Sequence, residues 1–169
     1  MEQFMLKYFV ESGLGLAMIG AAAAVAMGCI GSAHGIRIAA SQAAGVMSEK
    51  PELFGKLLVL MALPGTQGFY ALICAILIGM WTGLFSGHPT VGPLTGLAIM
   101  AIGIGTGFVE WKSAILQGET SAAAMNMVAR QPDSAGRAIL LPALVETYAL
   151  IGLLAAIVLM LFLTKSTGV

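Results

Sequence analysis

Glu146 lies in the middle of an apolar stretch, Ala138 to Gly152, and no Lys or Arg occurs between Arg137 and Lys165. A charged side chain at the centre of a bilayer costs about 3 kcal/mol on insertion scales. A carboxyl in such a place is an ion ligand, a proton carrier or half of a buried pair. Three other polar side chains fall at its depth. Two polar turns, at Pro51 and Pro132, serve as origins for counting. Glu146 is 14 residues after Pro132 and Gln117 is 15 before it, while Thr66 and Gln67 are 15 and 16 after Pro51. At ~1.5 Å per helical residue, all four lie within about one turn of a common level. Pro64 cannot donate a backbone hydrogen bond, so the Leu63-Pro64-Gly65 step disturbs its helix and offers a carbonyl, such as that of Leu63. The set is a carboxylate, two amide oxygens, a hydroxyl and a carbonyl. Oxygen donors suit hard cations, and one negative charge matches a monovalent cation better than a divalent one. A proton carrier needs only the acid and one hydrogen-bond partner. Taken singly, Gln67 or Gln117 is more often interhelical glue; their meeting Glu146 at one level favours the ligand reading.

The elements that position these groups are four apolar segments, about Leu14–Val46, Leu53–Leu84, Leu94–Ala129 and Ala135–Leu163. Each exceeds the ~20 residues that span a bilayer. Composition agrees: the 169 residues are 59% hydrophobic and 9% charged, against roughly 25% charged in soluble domains. The net charge of zero leaves no basic footprint for nucleic acid. Cys29 and Cys74 read as small buried hydrophobes, and His34 and His88 form no metal-ligand spacing. The first segment is too long for the apolar part of a signal peptide and is expected to be retained.

The chain is a duplication. Glu49-Lys50-Pro51-Glu52-Leu53-Phe54-Gly55-Lys56 aligns with Arg130-Gln131-Pro132-Asp133-Ser134-Ala135-Gly136-Arg137 at an offset of 81. Gly13-Leu14, Ile19-Gly20 and Gly35 align with Gly96-Leu97, Ile102-Gly103 and Gly118 at an offset of 83. The expected fold is all-α, with four transmembrane helices arranged as two fused helical hairpins that run the same way. The boundaries are an N-terminal extension over 1–12, a first hairpin over 13–84, a linker over 85–93 and a second hairpin over 94–169. At offset 81 Glu146 falls on Gly65, so only one hairpin carries the acid. Arg37, Lys50, Lys56, Arg130 and Arg137 gather at the two Pro turns, whereas the middle connection has no Lys or Arg. The positive-inside rule places both Pro loops in the cytoplasm, and the termini and linker outside.

Segments one and three are glycine-rich. Gly20/Ala24/Gly28, Gly31/Gly35 and Gly103/Gly107 place small residues four apart, which lets helices approach closely in lipid. Two such helices in one small chain suit the crowded inner wall of a ring of copies, with bulkier segments two and four toward lipid.

Leu63-Pro64-Gly65-Thr66-Gln67-Gly68-Phe69-Tyr70 resembles the LPGTQGxY motif of the four-helix proteolipid rotor subunit (subunit K, or c) of bacterial V-type, or V/A-type, rotary ATPases. Val145-Glu146-Thr147-Tyr148-Ala149 resembles that family's VETYA motif around the ion-carrying acid, and Leu116-Gln117-Gly118 its third-helix Gln-Gly. The resemblance runs from about Gly13 to Leu163. It implies a homo-oligomeric ring in the cell membrane, turning against a stator membrane subunit and meeting a central-stalk subunit at the cytoplasmic loops. In the sodium-binding branch, residues matching Leu63 (carbonyl), Thr66, Gln67, Gln117 and Glu146 coordinate Na+, and the residue matching Tyr70 hydrogen-bonds the carboxylate. All are kept here. The alternative cargo within the family is H+. The chain has no phosphate-binding loop, so ATP chemistry belongs to another subunit.

Glu110 and Lys112, flanking Trp111, depart from the family pattern. They read as a salt link between or within subunits, or as wetting of the ring interior; a second ion site is the minor reading. His34 and Arg37 read as facing the ring interior or the cytoplasmic interface. Outside the family, a small secondary transporter and a purely structural proteolipid are the rivals. Parallel rather than inverted repeats count against the transporter.

Overall fold

The computed structural model describes residues 12–89 and 91–167. Most of the expected N-terminal extension lies outside them. Among the described residues there are helices, turns and no strands. Helix α1 spans Leu14–Glu49, α2 Phe54–Ala62, α3 Thr66–Trp81, α4 Pro93–Arg130, α5 Ala135–Ala138 and α6 Leu140–Thr167. Short 3-10 turns at Pro51–Leu53, Leu63–Gly65 and Pro132–Ser134 join some of these. Among the described residues there are four spans long and apolar enough to cross a membrane: Leu14–Glu49, Pro51–Trp81, Pro93–Arg130 and Pro132–Lys165. Helix is the demanded form there, because lipid satisfies no backbone N–H or C=O.

The duplication is visible in the turns. Lys50 N–H donates to Val46 O at 2.9 Å, and Gln131 N–H donates to Met127 O at 2.8 Å. Leu53 N–H then donates to Lys50 O, and Ser134 N–H to Gln131 O. Each turn ends on a Pro that opens a 3-10 turn. Two lysines of the first hairpin tie it to the second: Lys50 Nζ donates to Ala129 O at 2.6 Å and Lys56 Nζ to Pro132 O at 2.9 Å.

The glycine-rich spans pack directly against each other along their length. Repeat-equivalent glycines meet at equal depth, as two parallel copies of one helix should. A methyl on Gly103 would lie 2.8 Å from the Cα of Gly20, and one on Gly118 would lie 2.6 Å from the Cα of Gly35. Gly13 opens α1 with a φ of 69°, in the left-handed region that favours glycine, and its backbone lies against Gly96. The second and fourth spans flank this pair and expose large apolar groups, including Phe69, Leu144, Tyr148 and Phe162. The first and third spans also expose some, such as Ile19, Ile30 and Phe108, on the separate chain. Cys74 is buried as expected, but Cys29 is exposed: its helical phase turns it away from the glycine seam that Gly28 enters.

Two apolar clusters fill the interior. One joins Ala17, Ala21, Ala24, Cys74, Ile78, Ile99, Leu153 and Met160 at the end away from the Pro turns. The other joins Ala43, Leu53, Leu57, Leu60, Met125, Val128 and Ala138 near them. Between the two lies a band of buried polar side chains: Ser32, Gln67, Glu110, Ser113 and Gln117. The second span is interrupted in that band, at Leu63–Gly65. Its second helix ends at Trp81, three residues earlier than the Leu84 expected, because the chain turns from Thr82 to Gly87.

Candidate functional site

Leu63, Thr66, Gln67 and Tyr70 stand on one edge of the second span, Gln117 on the third and Glu146 on the fourth. The residues read from the sequence meet in one continuous run of polar contacts. Tyr70 OH donates to Glu146 Oε1 at 2.7 Å. Gln117 Nε2 donates to Glu146 Oε2 at 3.3 Å. Gln67 Nε2 donates to Gln117 Oε1 at 2.5 Å. Thr66 Oγ1 lies 3.4 Å from Gln67 Oε1 and donates to Leu63 O at 3.0 Å. Both glutamines are fully buried, whereas Glu146 and Tyr70 are partly exposed.

Local sequence explains the arrangement. Pro64 prevents the regular helical bond at its own nitrogen, and the chain tightens into a 3-10 turn. Pro64 withholds a donor from the carbonyl four residues earlier, at Leu60, and Leu63 O is not left vacant. It accepts the Thr66 N–H, the bond that closes the tighter turn, as well as the Thr66 hydroxyl. Gly68 N–H, one turn beyond the proline, donates to Ser32 Oγ of the first span at 2.9 Å. That bond pins the broken span to the glycine helix.

Two participants are not foreseen from the sequence. One is Ser32. The other is Pro142, whose carbonyl accepts Gln117 Nε2 at 3.1 Å. Gln117 therefore bridges two successive turns of the fourth span, at Pro142 and Glu146. The signal was present in Pro142 itself, one turn before the acid and buried. Its carbonyl holds the Gln117 amide so that the amide oxygen faces Gln67.

The features near the site divide. His34, Arg37 and Lys112 are exposed on the separate chain. Glu110 is not at a subunit surface or in a salt link. It is 0% exposed within this chain, and neither carboxyl oxygen has a hydrogen-bond partner. Glu110 and Gln117 are seven residues apart, about two helical turns, so both point into the interhelical band.

The site offers one carboxylate, held by two neutral donors, beside a run of uncharged oxygens. Among the described residues no group of three or more His, Cys, Asp or Glu is present. Such a set can neutralise a single positive charge and strip its water in a half-buried setting, and it lacks the charge density for a transition metal.

Comparison with known proteins agrees with this architecture. The ATP synthase C-subunit family pattern matches the chain twice, over residues 19–78 and 95–159, one match per hairpin. The chain is 33% identical over 159 residues to the V-type sodium ATPase subunit K of Enterococcus hirae, covering 93% of this chain and 99% of that protein. It is 41% identical over 143 residues to the A-type ATP synthase subunit K of Methanocaldococcus jannaschii, covering 84% of this chain and 62% of that protein.

Proposed function

The chain belongs to the ATP synthase C-subunit family, and on that premise we propose that it is the membrane rotor subunit of a V/A-type ATPase that carries Na+ on Glu146. Copies assemble side by side into a ring, with the glycine-rich spans inside and the second and fourth spans outside. Glu146, Gln117, Gln67, Thr66 and the Leu63 carbonyl are the ion's ligands, and Tyr70 orients the carboxylate. What supports this reading is the continuous run of polar contacts from Glu146 through Gln117 and Gln67 to Thr66 and Leu63. A proton needs only the carboxyl and Tyr70; the amide, hydroxyl and carbonyl oxygens of the other residues are donors suited to a metal cation.

The cycle is electrostatic. With Na+ bound, the Glu146 site has no net charge and the subunit turns through lipid. At the stator, a basic group of another subunit displaces the ion into an aqueous path. Each elementary charge that crosses is worth about 2.3 kcal/mol per 100 mV. One acid per four helices, rather than one per two, lets a rotation of given helix count carry half as many ions. That suits pumping against a steep gradient. The Pro turns face the cytoplasm and meet the central stalk, and the termini lie outside.

The test is ATP-driven 22Na+ uptake by the whole complex in liposomes. Glu146→Gln is expected to abolish uptake. Thr66→Ala and Gln67→Ala are expected to raise the Na+ concentration for half-maximal rate by roughly tenfold each, since a bond to a charged group is worth about 1.5 kcal/mol or more. Proton pumping that survives both alanine variants at wild-type rates, without any Na+ requirement, would instead assign H+ as the cargo.

A further inference from the structure

Glu110 is a carboxyl that the ion-carrying site does not use. It sits two turns from Gln117 toward the apolar cluster away from the Pro turns, fully enclosed by its own chain. The first span faces it with backbone at Gly28: a methyl there would lie 3.6 Å from the Glu110 Cβ. The second span brings Tyr70 and Cys74 within electrostatic reach. The fourth span presents Glu146 beyond Tyr70. Every titratable group facing Glu110 is therefore neutral or negative. Lys112, two residues along the same helix, is exposed on another face. Because the separate chain already encloses Glu110, a neighbouring subunit's cation has no surface through which to pair with it.

An ionised carboxylate in these surroundings would be sealed from bulk solvent by its own chain and would lack a counter-charge and a hydrogen-bond donor from the protein, since both oxygens are unpartnered. Burying a charge so is far more costly than burying a neutral acid, and the group takes up a proton instead. We propose that Glu110 is a second, resident proton-binding site in each subunit, occupied whether or not the Glu146 site holds its cation. The two acids divide by exposure. Glu146 is partly exposed and exchanges its occupant; Glu110 is sealed and keeps its proton through the cycle. A neutral Glu110 also avoids a second negative charge next to the Tyr70–Glu146 pair.

Infrared spectroscopy of the purified ring at neutral pH tests this, with 13C-labelled glutamate to identify the protonated-carboxyl C=O band. The band is expected in wild type saturated with Na+, at one carboxyl per chain. It is expected to persist in Glu146→Gln and to vanish in Glu110→Gln, whose amide matches the neutral acid in shape. Absence of the band from Glu146→Gln would overturn the proposal. That variant decides the matter whichever ion Glu146 carries, and it does so even if Glu110→Gln fails to assemble. A protonated carboxyl present in Na+-saturated wild type at two per chain would instead count against Na+ at Glu146 and leave Glu110 as proposed.

Discussion

The carboxylate of Glu146 is bound from two sides, by a phenol and an amide, and the two bonds have different consequences. Tyr70 donates to Oε1 and stabilises the ionised form. Tyr70→Phe removes one charge-assisted bond, worth about 1.5 kcal/mol, so Na+ binding should weaken roughly tenfold. Isothermal titration of the purified ring would measure this. Gln117 also holds Pro142 and Gln67, so Gln117→Ala strips three partners at once. It should cost more than Tyr70→Phe in the same titration, and an equal or smaller effect would contradict the bridging role. The acid, both glutamines and Thr66 were legible in the sequence because a polar residue in an apolar helix stands out, and counting from a proline gives its depth. Pro142 and Ser32 were not, because a carbonyl acceptor and a small hydroxyl become participants only when another side chain reaches them. Glu110 is a different case: the salt link read for it does not form within the chain, and the lesser reading, a second ion site, is the one proposed above. Its neighbours Trp111 and Lys112 suggested an interface, while its seven-residue spacing from Gln117 already placed it on the buried face.

At the level of the helices, close approach of the first and third spans rests on missing side chains. A methyl on Gly103 or Gly118 would overlap the backbone of the other glycine helix, which cannot yield as a side chain can. Gly103→Leu and Gly118→Leu should therefore abolish recovery of folded protein from membranes. Gly136, with nothing within 4 Å of an added methyl, is the control: Gly136→Ala should leave the thermal midpoint in detergent nearly unchanged. The duplication made this seam predictable in part. The offset of 83 identified equivalent glycines, and two parallel copies of one helix bring equivalent residues to one depth. The break at Leu63–Gly65 was also legible from Pro64. What Leu63 O does there was not, since the tighter 3-10 turn re-employs a carbonyl that a regular helix would have left to a different donor.

For the whole molecule, the number of spans, their order and their duplicated pairing followed from apolar length, two prolines and a repeat. Their lateral arrangement did not, because lipid provides no hydrophobic distinction between an apolar face that meets a helix and one that meets an acyl chain. Two buried apolar clusters enclose a band of polar side chains, and the proposed function makes that band the seat of one exchangeable monovalent cation per chain. Carbodiimide modification of the purified ring at fixed pH, mapped to the residue by mass spectrometry with Na+ or K+ titrated in, decides whether it is. The reagent attacks protonated carboxyls in apolar surroundings. Glu146 is expected to be modified without Na+ and protected by Na+ at millimolar concentration or below, while K+ at the same concentration gives no protection. Modification of Glu146 that is equal with and without Na+ would contradict it, and would return Thr66, Gln67 and Gln117 to the role of helix packing.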